Sequence, residues 1–291
     1  MNNKNFDDTV LITHKDCLDG STAAAVFLFF GGKKENIIYS DLYNLSFEEY
    51  DKDVIYVDCC PKDLNSCKSK FTVYDHHISN YRLHNEDVRC NFNIKNCGSL
   101  FFYESVKNDF LNLLINKSHT EIFNLNCLLA AVNDYDLGFF SNPTGKFLSR
   151  LSCLYNQNEF VDILFSSLKD VVPFAKYFPY VDALNLFLSK MKNEILQSSL
   201  TFDCNIKNVG CVNAGFAYCQ KYLVNDISIE ILEKCDIAFC IDMVAKSVSI
   251  RSKMHDCSII ADYFGGGGHS GAAGCKFNEQ FIAWFTKQQH K

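Results

Sequence analysis

The first third of the chain alternates short apolar runs with helical stretches, and this alternation restricts the fold more than any other feature. "TVLITH" is followed by "GSTAAAVFLFF", then by "NIIYSDLY", "DVIYVD" and "KFTVYDHH". Runs rich in β-branched and aromatic residues, spaced by helix-forming stretches, predict a parallel sheet, because parallel neighbours need crossover connections. Such sheets gather ligands at the carboxyl ends of their strands. Chemistry-bearing residues stand at those ends: His14 where the first run stops, Asp58 after "DVIYV", and Asp75, His76 and His77 after "KFTVY".

Residues 98 to about 200 are predicted mainly helical, since "GSLFFYESV", "FNLNCLLAAVNDYD", "NEFVDILFSSLKDVV" and "DALNLFLSKMKNEILQSSL" carry apolar residues at spacings of three and four. Strands return from about residue 203 with "GCVNAGFAY", "CDIAFCIDMV" and "KSVSIRSK". The expected organisation is two α/β domains, residues 1–195 and a smaller one at 196–291, with the active site in the cleft between them. The connector is not low-complexity, and no internal repeat is visible.

Composition narrows the function. No run approaches the roughly 18 apolar residues of a membrane span, and the N-terminus lacks the basic-then-apolar order of a signal peptide, so a soluble cytoplasmic protein is expected. The 15 cysteines are odd in number and contain no C-x-x-C pair, which suits reduced, mostly buried thiols. A net charge of -6 argues against coating long nucleic acid, a mode that needs a basic surface. A short anionic substrate remains compatible. Only four arginines occur, Arg82, Arg89, Arg150 and Arg251, so their placement carries weight.

The strand-end residues form a larger set. "THKDCLDG" offers His14, Asp16 and Asp19; "YVDCCP" offers Asp58; "YDHH" offers Asp75, His76 and His77; "AAVNDYDLG" offers Asp134 and Asp136. Each strand-terminal aspartate alone reads more commonly as a turn or helix cap. Together, so many carboxylates would repel one another unless cations neutralised them. Oxygen donors with one or two imidazoles suit manganese or magnesium, and the imidazoles tilt the choice to manganese. Cys17, Cys59 and Cys60 lie beside these residues and are expected to pack, not to coordinate.

A separate signal closes the chain: "IADYFGGGGHSGAAG". The run Gly265 to Gly268 permits close backbone approach and positive φ, so its amides are expected to form an anion-binding nest, with His269 as a further donor. Upstream, "SVSIRSK" puts Arg251 at the end of an alternating strand, where its planar fork suits a phosphate or a base edge.

These motifs resemble the DHH phosphoesterase superfamily, whose signature stands here as Asp75, His76 and His77. "VSIRSK" followed by "SIIADYFGGGGHSGAAG" is similar to the substrate-binding domain that accompanies it in nano-RNases, RecJ-like exonucleases and cyclic-dinucleotide phosphodiesterases, and sets the chain apart from family II pyrophosphatases. The resemblance implies two metal ions, manganese with magnesium as the alternative, held by His14, Asp16, Asp19, Asp58, His76 and Asp136, with Asp58 bridging. It implies that His77 contacts the substrate phosphate and Asp75 orients an imidazole, and that Arg251, Gly266, Gly267, Gly268 and His269 hold the substrate. Many relatives separate the two aspartates of the first motif by two positions. Here "HKDCLDG" separates Asp16 and Asp19 by three, which leaves open which one touches metal; Asp134 likewise competes with Asp136.

The implied activity is hydrolysis of short oligonucleotides by a hydroxide that two metals activate. Cyclic-dinucleotide or adenosine-bisphosphate hydrolysis shares the same site, and a non-catalytic nucleotide-binding protein is a third reading. No membrane partner is expected, and a homodimer is left open.

Overall fold

The computed structural model describes residues 6–40 and 50–289. It divides into two compact units, Met1–Val181 and Asp182–Lys291. In chain order the first unit contains β1 (Thr9–His14), α1 (Leu18–Phe29), β2 (Ile37–Ser40), β3 (Asp53–Val57), β4 (Phe71–Asp75), α2 (Ile78–His84) and β5 (Cys90–Phe92). It continues with α3 (Gly98–Val106), α4 (Leu111–Ile115), α5 (His119–Asp136), α6 (Pro143–Ser152), α7 (Gln157–Ser167) and the start of α8 (Phe178–Gln197), inside which the division falls.

All pairings of the first sheet are parallel, in the order β2-β1-β3-β4-β5. Residues 41–43 of the predicted run "NIIYSDLY" lie outside the described residues, and β5 is a short strand that the hydrophobic pattern did not reveal. Alternate strand residues sort onto two faces, as a period of two requires. Leu11, Val57 and the flanking Ile55 and Tyr74 join the large core built by α1, α3, α5 and the helices after them. Val10, Ile12, Val54, Tyr56, Phe71 and Val73 form a smaller core on the other face. Helix α1 packs against β1, α3, α5 and α7, so its stretch "AAAVF" is buried all round and it lacks the single apolar stripe of a surface helix.

The second unit contains most of α8, then β6 (Leu200–Ile206), β7 (Gly210–Tyr218), α9 (Val224–Ile231), β8 (Ile237–Asp242), β9 (Ser247–Ser252), α10 (Cys257–Tyr263), β10 (Gly267–Gly268), β11 (Ala272–Lys276) and α11 (Glu279–Gln289). Its sheet is mixed, in the order β10-β11-β9-β8-β7-β6, with β7 and β8 parallel and the other pairs antiparallel. Phe216, Phe239 and Ile250 pack on one face with α10 and α11, and Ala217, Ala238 and Cys240 on the other with α9 and Leu188 of α8. The chain therefore has a parallel-sheet N-terminal unit and a smaller mixed α/β unit. Among the described residues no helix is long and apolar enough to cross a membrane.

Candidate functional site

The parallel sheet brings the loops after β1, β3 and β4 to one edge, because neighbouring parallel strands all end on the same side. Asp58 follows β3 with φ 60, a left-handed conformation that aspartate tolerates better than most residues, and its side chain is buried. Its Oδ1 lies 3.1 Å from Nε2 of His76, and its Oδ2 lies 3.5 Å from Nδ1 of His14. His76 is also within 3.5 Å of Asp136 Oδ2 and 3.7 Å of Asp19 Oδ2. One buried imidazole thus faces three carboxylates from three separate segments.

Two of those carboxylates are held by helix ends. Asp19, in the first turn of α1, accepts hydrogen bonds from the amides of Gly98 (2.7 Å) and Ser99 (3.0 Å) at the N-terminus of α3, where the helix dipole favours an anion. Gly98 is needed for this approach: a Cβ there would lie 2.9 Å from the Cβ of Asp58 and 3.0 Å from Asp19 Oδ2. Asp136 is the last residue of α5, and its buried Oδ2 accepts no hydrogen bond among the described residues. Asp134 points elsewhere, accepting from the hydroxyl of Ser141 and from the amide of Asn142 at 2.9 Å. It closes the turn after α5, and of the two aspartates only Asp136 lies beside His76.

Asp75 terminates β4 and has both oxygens engaged. Oδ1 accepts from the His76 amide (2.8 Å) and lies 2.8 Å from Nδ1 of His77, while Oδ2 accepts from Asn80 (2.6 Å). This fixes the His77 ring through one nitrogen, the arrangement expected of an orienting carboxylate. Asn80 belongs to the same short stretch "DHHISN", yet its part in holding Asp75 had no sequence signal. Gln157, at the start of α7, was equally invisible: its side chain donates to the carbonyl of His14 (3.0 Å) and to Ser21 Oγ (3.1 Å).

The structure does not bring Asp16 into this set. Its backbone adopts φ 50, it is exposed, and its amide donates to Gln157 Oε1 at 2.9 Å. Cys17 turns inward instead, with Sγ 3.4 Å from Asp58 Oδ2. Cys59 and Cys60 are buried and direct their thiols to the carbonyls of Ile12 and Pro61, so these two pack as expected.

The charges respond to this crowding. Burial, together with Asp58, raises the pKa of Asp19 above the usual carboxylate range. Burial also pushes Asp136 up to about 7, against the pull of His76 and with Asp19 and Asp58 adding repulsion. Burial alone would discharge His76, but Asp136, Asp58 and Asp19 outweigh it and raise its pKa to about 10. Asp58 is held well below the carboxylate range despite burial, by its bonds from His14 and His76. Asp75 falls to about 2, again despite burial, through His77, His76 and Asn80.

The donor atoms fit divalent cations. Asp19, His76 and Asp136 bring one ligand atom each within 4.8 Å of one another, and so do His14, Cys17 and Asp58, and Asp58, Asp75, His76 and His77. Asp58 belongs to two of these groups and His76 to two, and the bare oxygen of Asp136 is the kind of buried acceptor that a cation satisfies.

Arg251, Gly266, Gly267, Gly268 and His269, expected to hold the substrate, lie in the second unit. Arg251 pairs with Ala272 across β9 and β11, and the carbonyl of Ala272 accepts from the His269 amide at 2.8 Å, so Arg251 and the glycine run share one end of that sheet. The guanidinium donates to the carbonyl of Ile250 (3.0 Å) and to Asn225 of α9 (3.1 Å). The glycines also meet a demand of packing. The amides of Gly265 and Gly266 close the end of α10 on Asp262 and Ala261, and Gly267 and Gly268 form β10. A Cβ on Gly266 would lie 2.0 Å from the carbonyl oxygen of Gly274, so the run lets two backbones meet.

A parallel sheet with acids and imidazoles at its carboxyl edge, followed by a mixed α/β unit, defines a two-unit α/β fold with donor groups that could hold metal. Solved structures share the fold. RecJ of Thermus thermophilus, in complex with Mn2+, aligns with a TM-score of 0.58 at 14% identity, over 96% of this chain and 51% of RecJ, so this chain spans about half of that protein. The pGpG-specific phosphodiesterase PggH of Vibrio cholerae aligns with a TM-score of 0.52 at 12% identity, over 96% of each chain. An exopolyphosphatase-related protein of Bacteroides fragilis aligns with a TM-score of 0.51 at 14% identity, over 98% of this chain and 92% of that one. No family model matches the chain, and no curated protein matches it in sequence. The fold is the one implied by the DHH resemblance, shared across several enzymes without singling out a branch.

Proposed function

We propose that the chain is a metal-dependent phosphodiesterase that hydrolyses short oligonucleotides, in the manner of a nano-RNase-like exonuclease. The observation that carries this reading is the meeting of His14, Asp19, Asp58, His76 and Asp136, at the carboxyl edge of the parallel sheet. His14 and Asp58 would hold one ion and Asp19, His76 and Asp136 the other, with Asp58 between them. Imidazole mixed with carboxylate favours Mn2+, with Mg2+ as the alternative. Bound ions would supply the Lewis acidity that generates a nucleophile from water and neutralises charge on phosphoryl oxygens.

The chain's own residues do the rest. Asp75 fixes the His77 ring through Nδ1 and, outweighing burial, raises its pKa, which suits His77 to holding an anionic phosphoryl oxygen. Asn80 keeps Asp75 in place. Arg251 and His269 of the second unit are assigned to the part of the substrate away from the scissile bond. A chain with net charge -6 and four arginines is better matched to a substrate of a few nucleotides than to a long strand.

The match to PggH over nearly the full length of both chains favours, as a second reading, a linear dinucleotide as the preferred substrate. One experiment tests both. The purified protein with Mn2+ is incubated with short oligoribonucleotides, cyclic and linear dinucleotides and adenosine bisphosphate, and products are separated by chromatography. Mononucleotide release that exhaustive chelation abolishes supports the proposal, whereas turnover that survives chelation, or none with any phosphodiester, overturns it.

A further inference from the structure

The proposed ligand set leaves one position with only His14 and Asp58, and Cys17 stands beside both. Cys17 precedes α1 in extended conformation, and its side chain does not cap the helix. Its Sγ lies 3.4 Å from the same Asp58 oxygen that faces His14 Nδ1 at 3.5 Å. The donor atoms of His14, Cys17 and Asp58 lie within 4.8 Å of one another. Asp16, the carboxylate expected there, belongs to none of these donor groups among the described residues, because its left-handed backbone carries it outward.

We propose that Cys17, and not Asp16, is the third protein ligand of that position, which makes the two metal positions chemically unequal. The first is a nitrogen, sulfur and oxygen site; the second, formed by Asp19, His76 and Asp136, has only nitrogen and oxygen donors. On binding, the thiol proton leaves to solvent and a sulfur–metal bond replaces it, with no change of oxidation state. Thiolate donors favour borderline and soft cations, so the first position prefers Zn2+ or Co2+ over Mn2+, while the second accepts Mn2+. Two different ions can then occupy one centre. The contrast with Cys59 and Cys60, which follow Asp58 in sequence but bond to backbone carbonyls, identifies Cys17 as the thiol turned to the carboxylate.

This inference rests on the metal centre proposed above, and the test separates the two. Metal-free protein is titrated with Co2+, and binding is followed together with the near-ultraviolet thiolate-to-cobalt charge-transfer band. The parent should bind two ions and show the band. Cys17→Ser should lose the band and bind one of the two ions roughly 10 to 100-fold more weakly, whereas Asp16→Asn should keep both. Cys17→Asp, which restores a hard ligand, should bind two ions without the band and so verifies that the fold is intact. A band that persists in Cys17→Ser, or two cobalt ions bound by the parent without any band, overturns this inference and leaves the metal centre standing. Failure of the parent to bind any Co2+ overturns both.

Discussion

The two units treat their strand ends in opposite ways. In the first, parallel strands deliver buried acids and imidazoles to one edge, and local structure is arranged around charge: Asp16 and Asp58 have left-handed backbones, and a helix N-terminus faces Asp19. In the second, antiparallel returns scatter the strand ends, and the glycine-rich end is arranged around space, with two backbones meeting where no side chain fits. The difference teaches that the first unit should tolerate changes of charge in its fold but not in its function. The second should respond to added volume.

The sharpest way to break this comparison lies in the first unit. Asp58→Asn or His76→Ala should lower turnover by several orders of magnitude while far-ultraviolet dichroism stays that of the parent, since each removes a ligand shared by the donor groups. Parent-like activity in either variant would dissolve the proposed centre.

Next in size is Arg251→Ala, which removes a charge-assisted contact of about 1.5 to 3 kcal/mol and should cost roughly 10 to 100-fold in kcat/KM on a dinucleotide. Bis-p-nitrophenyl phosphate has no second nucleotide to hold, so its hydrolysis should scarcely change. Equal losses on both substrates would move Arg251 to the reacting phosphate.

Volume is tested by Gly266→Ala, whose methyl group would press on the carbonyl of Gly274. Overpacking of this kind costs about 1 to 3 kcal/mol, seen as a lower Tm with metal binding unaltered. An unchanged Tm would mean that the run yields easily and that its glycines serve another purpose.

A pH dependence arising in the first unit gives a further test. In the metal-free protein His76 keeps its proton to about 10 against an ordinary value of 6.5, so across that window the folded state holds a proton that the unfolded state has lost. Raising the pH there must lower stability. Asp136, raised from 3.8 to about 7, acts with the same sign at lower pH. Asp75, lowered to about 2, adds stability as pH rises only up to its ordinary 3.8. Thermal melts in chelator should therefore show Tm falling from near neutrality to pH 10, and a rise over that range would contradict the charge arrangement at His76.

Much of this was legible in the sequence for a local reason. Strand and helix period is written in neighbouring residues, so β1, β3, β4, α1 and the helix entering the glycine run followed from pattern. Parallel order then implied that His14, Asp58 and Asp75 end on one edge. What pattern could not decide is direction at the scale of one side chain. Asp134 and Asp136 lie two positions apart on one helix, roughly 200° around its axis, so one closes a turn and the other meets His76. Asp16 and Cys17 are neighbours, and a left-handed residue between strand and helix sends one outward and the other toward Asp58. Asn80, Gly98 and Gln157 were silent because their roles depend on contacts with segments distant in sequence or on a single hydrogen bond. The sequence by itself determined which chemical groups are present and on which edge of the sheet they gather. Only tertiary packing decided which of them meet, because α1 and α5 carry Asp19 and Asp136, and α3 holds Asp19, beside an imidazole that Asp58 reaches from the end of β3.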